Sequence, residues 1–322
     1  MNKIKVGVVG TGHLGRFHAV NYAQIPEVDL VGVTDIEPGK ARSVASETGC
    51  TPYHDLESLL NKVEAVSVVV PTNSHFNVCQ KVLKSGIHCL VEKPIAQTTD
   101  EADRLIAMAD QNRVIFQVGH VERFNPAMHA LQGMKIEPRF IESHRLALFN
   151  PRGTEVAVVL DLMIHDIDVI LSLVQSPVQT VDASGVAVVS DSIDIANARI
   201  RFENNCVANL TASRISQKKM RKMRLFQKDT YIAVDFLQKK SEIFQLVEKG
   251  KGGGLVVGDI GVEDKKREII YQSPPPPQKE GLRKELETFI QTIRGKTPPA
   301  VTGREGRAAL ALAMVILEKS ER

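Results

Sequence analysis

A short apolar strand runs directly into three glycines near the start of the chain. Lys3 to Gly15 reads KIKVGVVGTGHLG, and its last glycines follow the spacing G-x-G-x-x-G. In such a junction one glycine turns the backbone, one lets it approach a pyrophosphate, and one lets the next helix pack on the strand. The free N–H groups and dipole of that helix also favour an anion. We therefore predict a dinucleotide-binding loop made of Gly10, Thr11, Gly12, His13, Leu14 and Gly15.

A carboxylate follows the second predicted strand, which covers residues 29–34. This carboxylate, Asp35, stands twenty residues after Gly15. At that distance a carboxylate accepts hydrogen bonds from both ribose hydroxyls and repels a 2′-phosphate. Ile36 and Glu37 come next, so neither position offers a cation to such a phosphate. With Asp35 and Ile36 beside the ribose, we predict NAD(H) rather than NADP(H) as cofactor; the alternative is that Asp35 only caps a turn.

Strand and helix patterns alternate up to about residue 119. Ala65 to Val70 (AVSVVV) is apolar on both faces, which is typical of a parallel strand covered by helices on each side. Thr98, Thr99 and Asp100 offer N-caps for the last helix. The pattern predicts an α/β Rossmann domain with a doubly wound parallel sheet. Its strands are expected at 3–9, 29–34, 65–70, 88–92 and 114–118, and its helices at 14–24, 38–47, 55–61, 75–85 and 99–112.

A different pattern follows Gly119. One long helix at 156–174 precedes many strand-like runs, and two helices end the chain. The pattern predicts an α+β domain with a large, mostly antiparallel open sheet, so we divide the chain into domains at 1–120 and 121–322. Asn204 and Asn205 predict a hairpin turn, Gly250 to Gly254 a mobile loop tip, and Pro274 to Pro277 an extended connector. The expected strands lie near 178–189, 193–203, 206–215, 220–227, 230–236, 241–248 and 267–272, and the final helices near 280–294 and 303–319.

Composition sets limits on the class of protein. A chain of 322 residues with 43% hydrophobic and 25% charged residues is ordinary for two globular domains. The formal net charge of +3 gives no reason to expect nucleic acid or an acidic membrane as a partner. The first strand begins within three residues of the amino terminus, which leaves no room for a signal peptide, and no apolar run reaches the length of a membrane span. We therefore expect a cytoplasmic protein.

The cysteines and one basic segment argue against a zinc site, a disulfide framework and nucleic-acid binding. Four cysteines without a C-x-x-C pair argue against a zinc knuckle or a disulfide framework, and we expect buried thiols. The basic residues near 218–224 alternate between the two faces of a predicted strand, and the chain has no Trp and only four Tyr for stacking. We interpret them as solvated sheet residues or as lysines that protect a sheet edge. They are Lys218, Lys219, Arg221, Lys222 and Arg224.

Polar residues follow two of the parallel strands. PTNSH comes after the third predicted strand and EKP after the fourth, both at carboxyl ends, where such sheets bind ligands. The proline of EKP cannot continue a ladder, so the chain should leave the sheet there and direct Lys93 into the crevice. The alternative for Lys93 is a solvated lysine at a strand end. We predict cofactor contacts from Pro71, Thr72, Asn73, His75, Glu92 and Lys93.

A second constellation interrupts the apolar helix of the second domain. Asp161 and His165 are four residues apart and Asp168 three further on, so they share a helix face. Ionisable groups in so apolar a helix are costly unless they are paired or used. His165 has an ordinary pKa suited to general-base chemistry near neutral pH. The alternatives are a structural His–Asp pair or a metal site made of Asp161, His165 and Asp168; since no second His or Cys stands at ligand spacing, we expect no metal.

These four motifs together resemble a known family across nearly the whole chain. GTGHLG, PTNSH, EKP and the later D-x-x-x-H occur in the order and at the separations of the Gfo/Idh/MocA oxidoreductases. Members pair a Rossmann domain with an open-sheet α+β domain. The resemblance implies that Lys93 is the lysine of the EKP motif and that Asp161 and His165 are the catalytic Asp and His. Where many members carry a Gly-rich run before that Asp, this chain has Val156 to Leu160.

The segment Gly119 to Pro126 suggests a substrate class. Its sequence, GHVERFNP, is similar to that of the family branch acting on UDP-N-acetylhexosamines, which includes UDP-N-acetylglucosamine 3-dehydrogenases. We therefore expect substrate contacts from Arg123 and Asn125 in addition to Lys93, Asp161 and His165. The alternative for Arg123 is a salt bridge at a domain interface.

The expected reaction is hydride transfer from a ring carbon bearing a secondary hydroxyl to the nicotinamide. His165 is assigned as base, Lys93 as hydrogen-bond donor to the same oxygen, and Asp161 as the residue that orients or tunes the pair. Lys93 and His165 could exchange roles if burial or a neighbouring cation lowered the lysine pKa.

Two rival functions and an assembly state complete the expectations. One rival is a dehydrogenase of a free polyol such as inositol or of a simple hexose; the other is a non-enzymatic NAD-binding regulator. A regulator has no need for Lys93, Asp161 and His165 together. The resemblance and the apolar alternation of the late strands imply a homo-dimer or homo-tetramer formed through the open face of the second sheet.

Overall fold

The structure is a computed structural model that describes residues 2–151, 154, 156–262, 266–276 and 280–321. Its contacts divide the chain into two compact units. The first unit contains the chain up to Phe124 and the segment Glu280–Ala311. The second contains the residues between Phe124 and Glu280 and the residues that follow Ala311.

The first unit is built on a six-stranded parallel sheet with the order β3-β2-β1-β4-β5-β6. In this order the strands are added first on one side of β1 and then, from β4 onward, on the other side, which confirms the predicted doubly wound Rossmann sheet. The predicted strands agree with the observed ones to within about two residues, and β3 is the one strand of this sheet that we did not predict. The strands are β1 Ile4–Val9, β2 Val28–Thr34, β3 Thr51–Tyr53, β4 Ala65–Val68, β5 His88–Glu92 and β6 Phe116–Gly119.

Two helices of the first unit begin at side chains that cap them. Thr98 accepts the backbone N–H of Glu101 at 3.2 Å, and Asp55 accepts that of Ser58 at 2.6 Å, so both are N-caps. The fourth helix begins at Thr72, three residues before the predicted start. The helices are α1 His13–Ala23, α2 Pro38–Thr48, α3 Leu56–Leu60, α4 Thr72–Lys84, α5 Thr99–Asn112 and a 3₁₀ turn at Val121–Phe124.

Two further helices come from the end of the chain: α8 Gly281–Ile293 and α9 Gly303–Ser320. The division at residue 120 assigned both to the second domain, whereas the contacts place α8 and the first part of α9 in the first unit. The reason is apolar burial, because Leu286, Phe289 and Ile290 of α8 are fully buried in the core that also holds Val6 and Tyr22.

A nine-stranded sheet forms the second unit, in the order β14-β15-β13-β12-β11-β7-β10-β9-β8. Pairing is antiparallel except between β7 and β10, which confirms the predicted mostly antiparallel sheet. The strands are β7 Phe140–Leu146, β8 Val178–Val186, β9 Ile195–Phe202, β10 Val207–Ser213, β11 Met220–Gln227, β12 Thr230–Asp235, β13 Lys240–Glu248, β14 Leu255–Ile260 and β15 Arg267–Gln272. Two of them, β7 and β14, were not predicted.

The predicted helix at 156–174 is shorter than expected. A π-helical turn, Val159–Met163, leads into α7, Ile164–Leu173, and residues 156 and 157 precede it without helical structure. The backbone N–H of Val158 donates instead to the carbonyl of Ile193 at 2.9 Å. This unit also contains the short helix α6, Pro126–His129, which was not predicted.

The predicted turns have mixed outcomes. Asn205 has a φ of 65° between β9 and β10, which confirms the hairpin turn. Gly250 and Gly254 have positive φ and lie in the connection between β13 and β14, while the mobility of this loop stays a prediction. The stretch 274–276 has no regular secondary structure, and Pro277 lies outside the described residues.

Candidate active site

The glycine loop has the geometry that its spacing predicts. Gly10 has a φ of 89°, and a Cβ there would overlap the carbonyl of Val69. A Cβ on Gly15 would overlap the carbonyl oxygen of Gly10, so this glycine lets α1 pack against the end of β1. At Gly12 an added Cβ would meet no atom within 4 Å among the described residues. The loop therefore presents an open backbone face at the start of α1, as a bound pyrophosphate requires.

Asp35 holds this loop in place. Its Oδ2 accepts the backbone N–H of Thr11 at 2.6 Å and the Thr11 hydroxyl at 3.0 Å, and its Oδ1 accepts the backbone N–H of Glu37 at 2.9 Å. The carboxylate thus caps the turn, as the alternative proposed, and stands at the end of β2 where a ribose would lie. Ile36 beside it is 97% exposed. A carboxylate without a neighbouring cation at positions 36 and 37 fits NAD rather than NADP.

His75 joins the two polar segments at the carboxyl ends of β4 and β5. Its Nδ1 lies 2.8 Å from the carbonyl oxygen of Pro94, and its Nε2 lies 3.0 Å from that of Val70. Burial lowers the pKa of His75 despite these two carbonyl contacts. The structure therefore brings the predicted PTNSH and EKP segments together, with His75 as a buried link rather than an exposed ligand.

A carboxylate with 12% of its side chain exposed lies directly before Lys93. The Oε1 of Glu92 is 3.1 Å from Nε2 of His18, and its Oε2 accepts the backbone N–H of Lys93 at 3.2 Å. Burial alone would raise the pKa of Glu92, but the hydrogen bond and charge of His18 together with the charge of Lys93 lower it. A Cβ on Gly119 would come within 3.0 Å of the same Oε1, so this glycine on β6 leaves room for the carboxylate.

Arg123 is engaged in an ion pair inside the first unit. Its guanidinium donates to Oε1 of Glu305 at 2.9 Å, and the other Glu305 oxygen accepts the backbone N–H and hydroxyl of Thr302, each at 2.8 Å. Burial would raise the pKa of Glu305, but these bonds and the Arg123 charge lower it. Asn125 caps α6 by accepting the backbone N–H of Ala127 at 3.0 Å, and it donates to the carbonyl of Phe236 at 3.1 Å. Substrate contacts by Arg123 and Asn125 stay predictions.

Asp161 and His165 lie at the start of the helical segment of the second unit. Asp161 belongs to the π-helical turn and His165 to the first turn of α7, and both are half-buried. The next residue, Asp166, is fixed by a buried two-point contact with Arg145 of β7. Nε of Arg145 donates to Oδ2 of Asp166 at 3.1 Å, and Nη2 of Arg145 donates to Oδ1 of Asp166 at 2.7 Å. This ion pair ties the first turn of α7 to the sheet.

The segment before the π-helical turn is anchored by side chains. Arg214 donates to the carbonyl of Val156 and lies 3.8 Å from the buried carboxylate of Asp194. Burial would raise the pKa of Asp194, but it accepts the backbone N–H groups of 188–190 and the Ser190 hydroxyl, which lower its pKa to about 2. The Ser192 hydroxyl donates to the carbonyl of Thr154 at 2.6 Å. These contacts hold the chain at the segment that leads into the π-helical turn.

Three further features bear on binding. Within the described part of the chain, no group of three or more His, Cys, Asp or Glu side chains is arranged to hold a metal ion. The basic residues of β11 are paired on an exposed sheet face, Lys222 with Asp235 at 3.3 Å and Arg224 with Glu142 at 3.3 Å. Among the described helices, none is both long and apolar enough to cross a membrane.

Sequence reasoning missed several residues that position the site. Arg145 and Arg214 act through partners distant in the chain, and Asp194 accepts hydrogen bonds mainly from backbone N–H groups, so no residue pattern marks them. His18 had a weak signal, because it stands three residues after Gly15 and so shares its helix face.

Comparison with known proteins agrees with this geometry. Residues 4–120 match the oxidoreductase family described as having an NAD-binding Rossmann fold, and residues 142–233 match the GFO/IDH/MocA C-terminal domain. UDP-N-acetylglucosamine 3-dehydrogenase of Acidithiobacillus ferrooxidans is 39% identical over 98% of this chain and 97% of its own. A solved structure of that enzyme superposes with a TM-score of 0.89 at 37% identity, covering 100% of this chain and 99% of the other.

More distant relatives act on inositols. Myo-inositol 2-dehydrogenase of Thermotoga maritima is 25% identical over 96% of this chain and 94% of its own. The scyllo-inositol dehydrogenase of Lactobacillus casei, solved with NAD(H) and scyllo-inositol, shares the fold at a TM-score of 0.78 and 21% identity, covering 99% and 97% of the two chains. The chain therefore belongs to the Gfo/Idh/MocA family of NAD-binding oxidoreductases.

Proposed function

We propose that this protein is an NAD-dependent dehydrogenase that oxidises the C3 hydroxyl of UDP-N-acetylglucosamine. The observation that carries the proposal is the full-length similarity to the Acidithiobacillus enzyme, at 39% identity over 98% of this chain. Lys93, Asp161 and His165 stand at the positions of the EKP and D-x-x-x-H motifs. The GHVERFNP segment is similar to that of the family branch acting on UDP-N-acetylhexosamines.

The cofactor would lie along the carboxyl edge of the Rossmann sheet. Residues 10–15 offer backbone N–H groups to the pyrophosphate, and Asp35 with Ile36 lies beside the adenosine ribose. The residues at the ends of β4 and β5 would border the nicotinamide half. These are Pro71, Thr72, Asn73, His75, Glu92 and Lys93.

The chain's own side chains supply the proton chemistry of the reaction. His165 takes the proton of the substrate hydroxyl, because removal of a hydride from the same carbon is favourable only as that proton leaves. Lys93 donates a hydrogen bond to the same oxygen and stabilises its developing negative charge. Asp161 orients His165, and Arg123 and Asn125 contact the sugar nucleotide. Bound NAD supplies the hydride acceptor.

We also propose that copies of the chain associate through the exposed face of the nine-stranded sheet. Five aromatic side chains form a row across neighbouring strands of this face, with ring centroids 5.0 to 5.8 Å apart. Phe226, the second in the row, is 37% exposed. Such a row is apolar surface that a second copy would cover. The row consists of Phe140, Phe226, Tyr231, Phe244 and Tyr271.

The free thiols of all four cysteines support a cytoplasmic location.

Substrate screening tests the proposed function. NADH formation, followed by its absorbance, is measured with UDP-N-acetylglucosamine, free N-acetylglucosamine, glucose and myo-inositol. We expect a kcat/KM for the sugar nucleotide at least about a hundredfold above the others. Reduction of the product with borodeuteride should place deuterium at C3. Faster oxidation of inositol would favour the polyol dehydrogenase, and NAD binding without turnover on any of these would favour the regulator.

A further inference from the structure

We propose that Glu92 is the fixed counter-ion of Lys93 and that His18, buried in the helix of the cofactor loop, is the positioning residue that holds Glu92. The inference rests on the proposed role of Lys93 as the hydrogen-bond donor. It assigns a purpose to two buried side chains that the proton chemistry above leaves unused.

The first argument is the burial of His18. Its side chain is 0% exposed, and within the described chain its Nδ1 has no hydrogen-bond partner. Burying a polar group with half of its hydrogen-bonding capacity unmet costs free energy. The contact that remains is from Nε2 to Oε1 of Glu92, at 3.1 Å. An apolar residue would fill this place in the core at lower cost, so the contact with Glu92 is what the imidazole contributes.

The second argument is the space made for the carboxylate. Glu92 ends β5, and its Oε2 turns back to the backbone N–H of Lys93 at 3.2 Å. On the neighbouring strand, a Cβ at Gly119 would stand 3.0 Å from Oε1 and 3.1 Å from Cδ. Two contacts and one glycine thus define a single position for this carboxylate.

The third argument is the set of charges around Glu92. From α1 it faces His18, from α4 it interacts with His75, and from its own loop it interacts with Lys93, while β6 contributes the uncharged Gly119. Lys93 is the one permanent cation of this set at neutral pH. The carboxylate is held against the backbone of Lys93 and its pKa is lowered by the charge of that lysine, and the same attraction favours the protonated amine. Lys93 then donates a hydrogen bond to the substrate oxygen throughout the working pH range, and the proton of the hydroxyl goes to His165.

Direct titration of Lys93 tests the proposal without any substrate. The protein is labelled with ¹³C at the lysine Cε, and the Lys93 resonance is assigned by its absence in Lys93→Arg. We expect Glu92→Gln to lower the titration midpoint of Lys93 by about one pH unit or more. His18→Leu should lower it in the same direction, and His18→Gln, which keeps an N–H donor, should restore it.

Matched controls come from the other end of the same sheet. Glu64 accepts the backbone N–H of Lys5 at 2.9 Å, and His88 accepts that of Ile115 at 2.9 Å, so Glu64→Gln and His88→Gln remove similar contacts far from Lys93. Neither should move the Lys93 midpoint. An unchanged midpoint in folded Glu92→Gln would overturn the counter-ion role, and equal effects of His18→Gln and His18→Leu would overturn the role of His18. If Glu92→Gln does not fold, Glu92→Asp, which withdraws the carboxylate, should lower the midpoint, and no change there would also overturn the proposal.

Kinetics give a second readout. The alkaline limb of the kcat profile should move to lower pH in Glu92→Gln by the same amount as the midpoint, whereas a purely structural defect would lower kcat equally at every pH. The titration uses no substrate, so an unchanged Lys93 midpoint would overturn the counter-ion proposal even if the protein oxidises the sugar nucleotide. Likewise, a lack of turnover with the sugar nucleotide would overturn the proposed function even if the midpoint shifts as expected.

Discussion

The surroundings of Lys93 and of His165 differ in the kind of contact that fixes them. In the Rossmann sheet that carries Lys93, close backbone approaches at Gly10 and Gly15, the space that Gly119 leaves for the Glu92 side chain, and short-range polar contacts define the edge of the sheet. Around His165, buried ion pairs between distant chain segments hold the first turn of α7 and the segment before it.

The difference matters for how each region tolerates change. Close backbone approaches restrict a position to glycine, so the first region is sensitive to small additions of volume. Buried ion pairs need both partners, because one charge left alone in the interior is costly. The second region should therefore be sensitive to loss of a single charge and tolerant of paired replacement.

The largest expected effect comes from removing the proposed reacting group of either region. Lys93→Met and His165→Ala should each lower kcat by about 10²- to 10⁴-fold. Neither change should alter NAD affinity by more than a few-fold, since the glycine loop supplies most of the binding. Turnover assays paired with NAD titrations by fluorescence measure both quantities. Normal turnover in both variants would exclude the proposed chemistry.

A buried and an exposed ion pair of the same geometry separate burial from charge. Arg145→Leu should lower the free energy of unfolding by about 3–5 kcal/mol, since it strands Asp166 in the interior. Arg307 makes a similar two-point contact with Asp103, at 3.0 and 2.9 Å, but on the surface, so Arg307→Leu should cost about 0–1 kcal/mol.

Urea denaturation of both variants and of Arg145→Leu/Asp166→Leu measures these differences. The double variant should recover most of the stability, because two apolar side chains replace the pair. Equal losses in the two single variants would mean that burial does not distinguish the regions.

Two glycines of the cofactor loop should behave oppositely. Gly15→Ala should destabilise the first unit by about 1–3 kcal/mol, because its Cβ would overlap the carbonyl of Gly10. The Cβ of Gly12→Ala would meet no atom within 4 Å among the residues that the structure describes, so stability should hold while NAD affinity falls about tenfold or more. Thermal unfolding and NAD titration of both variants test this. Loss of stability in Gly12→Ala would show that its open face is a folding requirement.

The smallest effect concerns acid stability through Asp194. Its pKa is lowered to about 2, so its contribution is fully present above the ordinary carboxylate pKa near 4 and is lost as pH falls toward 2. Asp194→Asn should cost about 2 kcal/mol at neutral pH and should flatten the loss of stability between about pH 4 and 2. Urea unfolding across this range measures the slope. Asp191→Asn in the same loop is the control, and an unchanged slope in Asp194→Asn would contradict the assignment.

The first region could be predicted from local sequence because its function depends on backbone geometry. A glycine at a crowded turn and a proline at a strand end can each be recognised in the sequence at the position where they act. Local sequence also predicted the strands of this region, because strands that are buried on both faces are continuous apolar runs. These strands are β1, β2, β4, β5 and β6.

The second region resists such prediction because its partners are distant in the chain. The buried face of β7 carries Ser143 and Arg145 beside Ile141, so its alternation does not resemble a core strand until Asp166 is in place. The predicted helix start at Val156 was wrong because the carbonyl of that residue is held by Arg214, nearly sixty positions later. His18 was overlooked because a buried histidine and a surface histidine look alike in a helix pattern.

The wide turn at Val159–Met163 has a consequence for insertions and deletions. A π-helical turn holds about one residue more than an α-helical turn, so it can absorb a single added residue without disturbing the helix on either side. Deleting one residue between Asp161 and His165 would close the turn into regular α-helix with the flanking helix undisturbed, and would shorten their separation along the chain from four residues to three. The length of the chain at this point therefore sets the spacing of the proposed base and its partner, independently of which side chains are present.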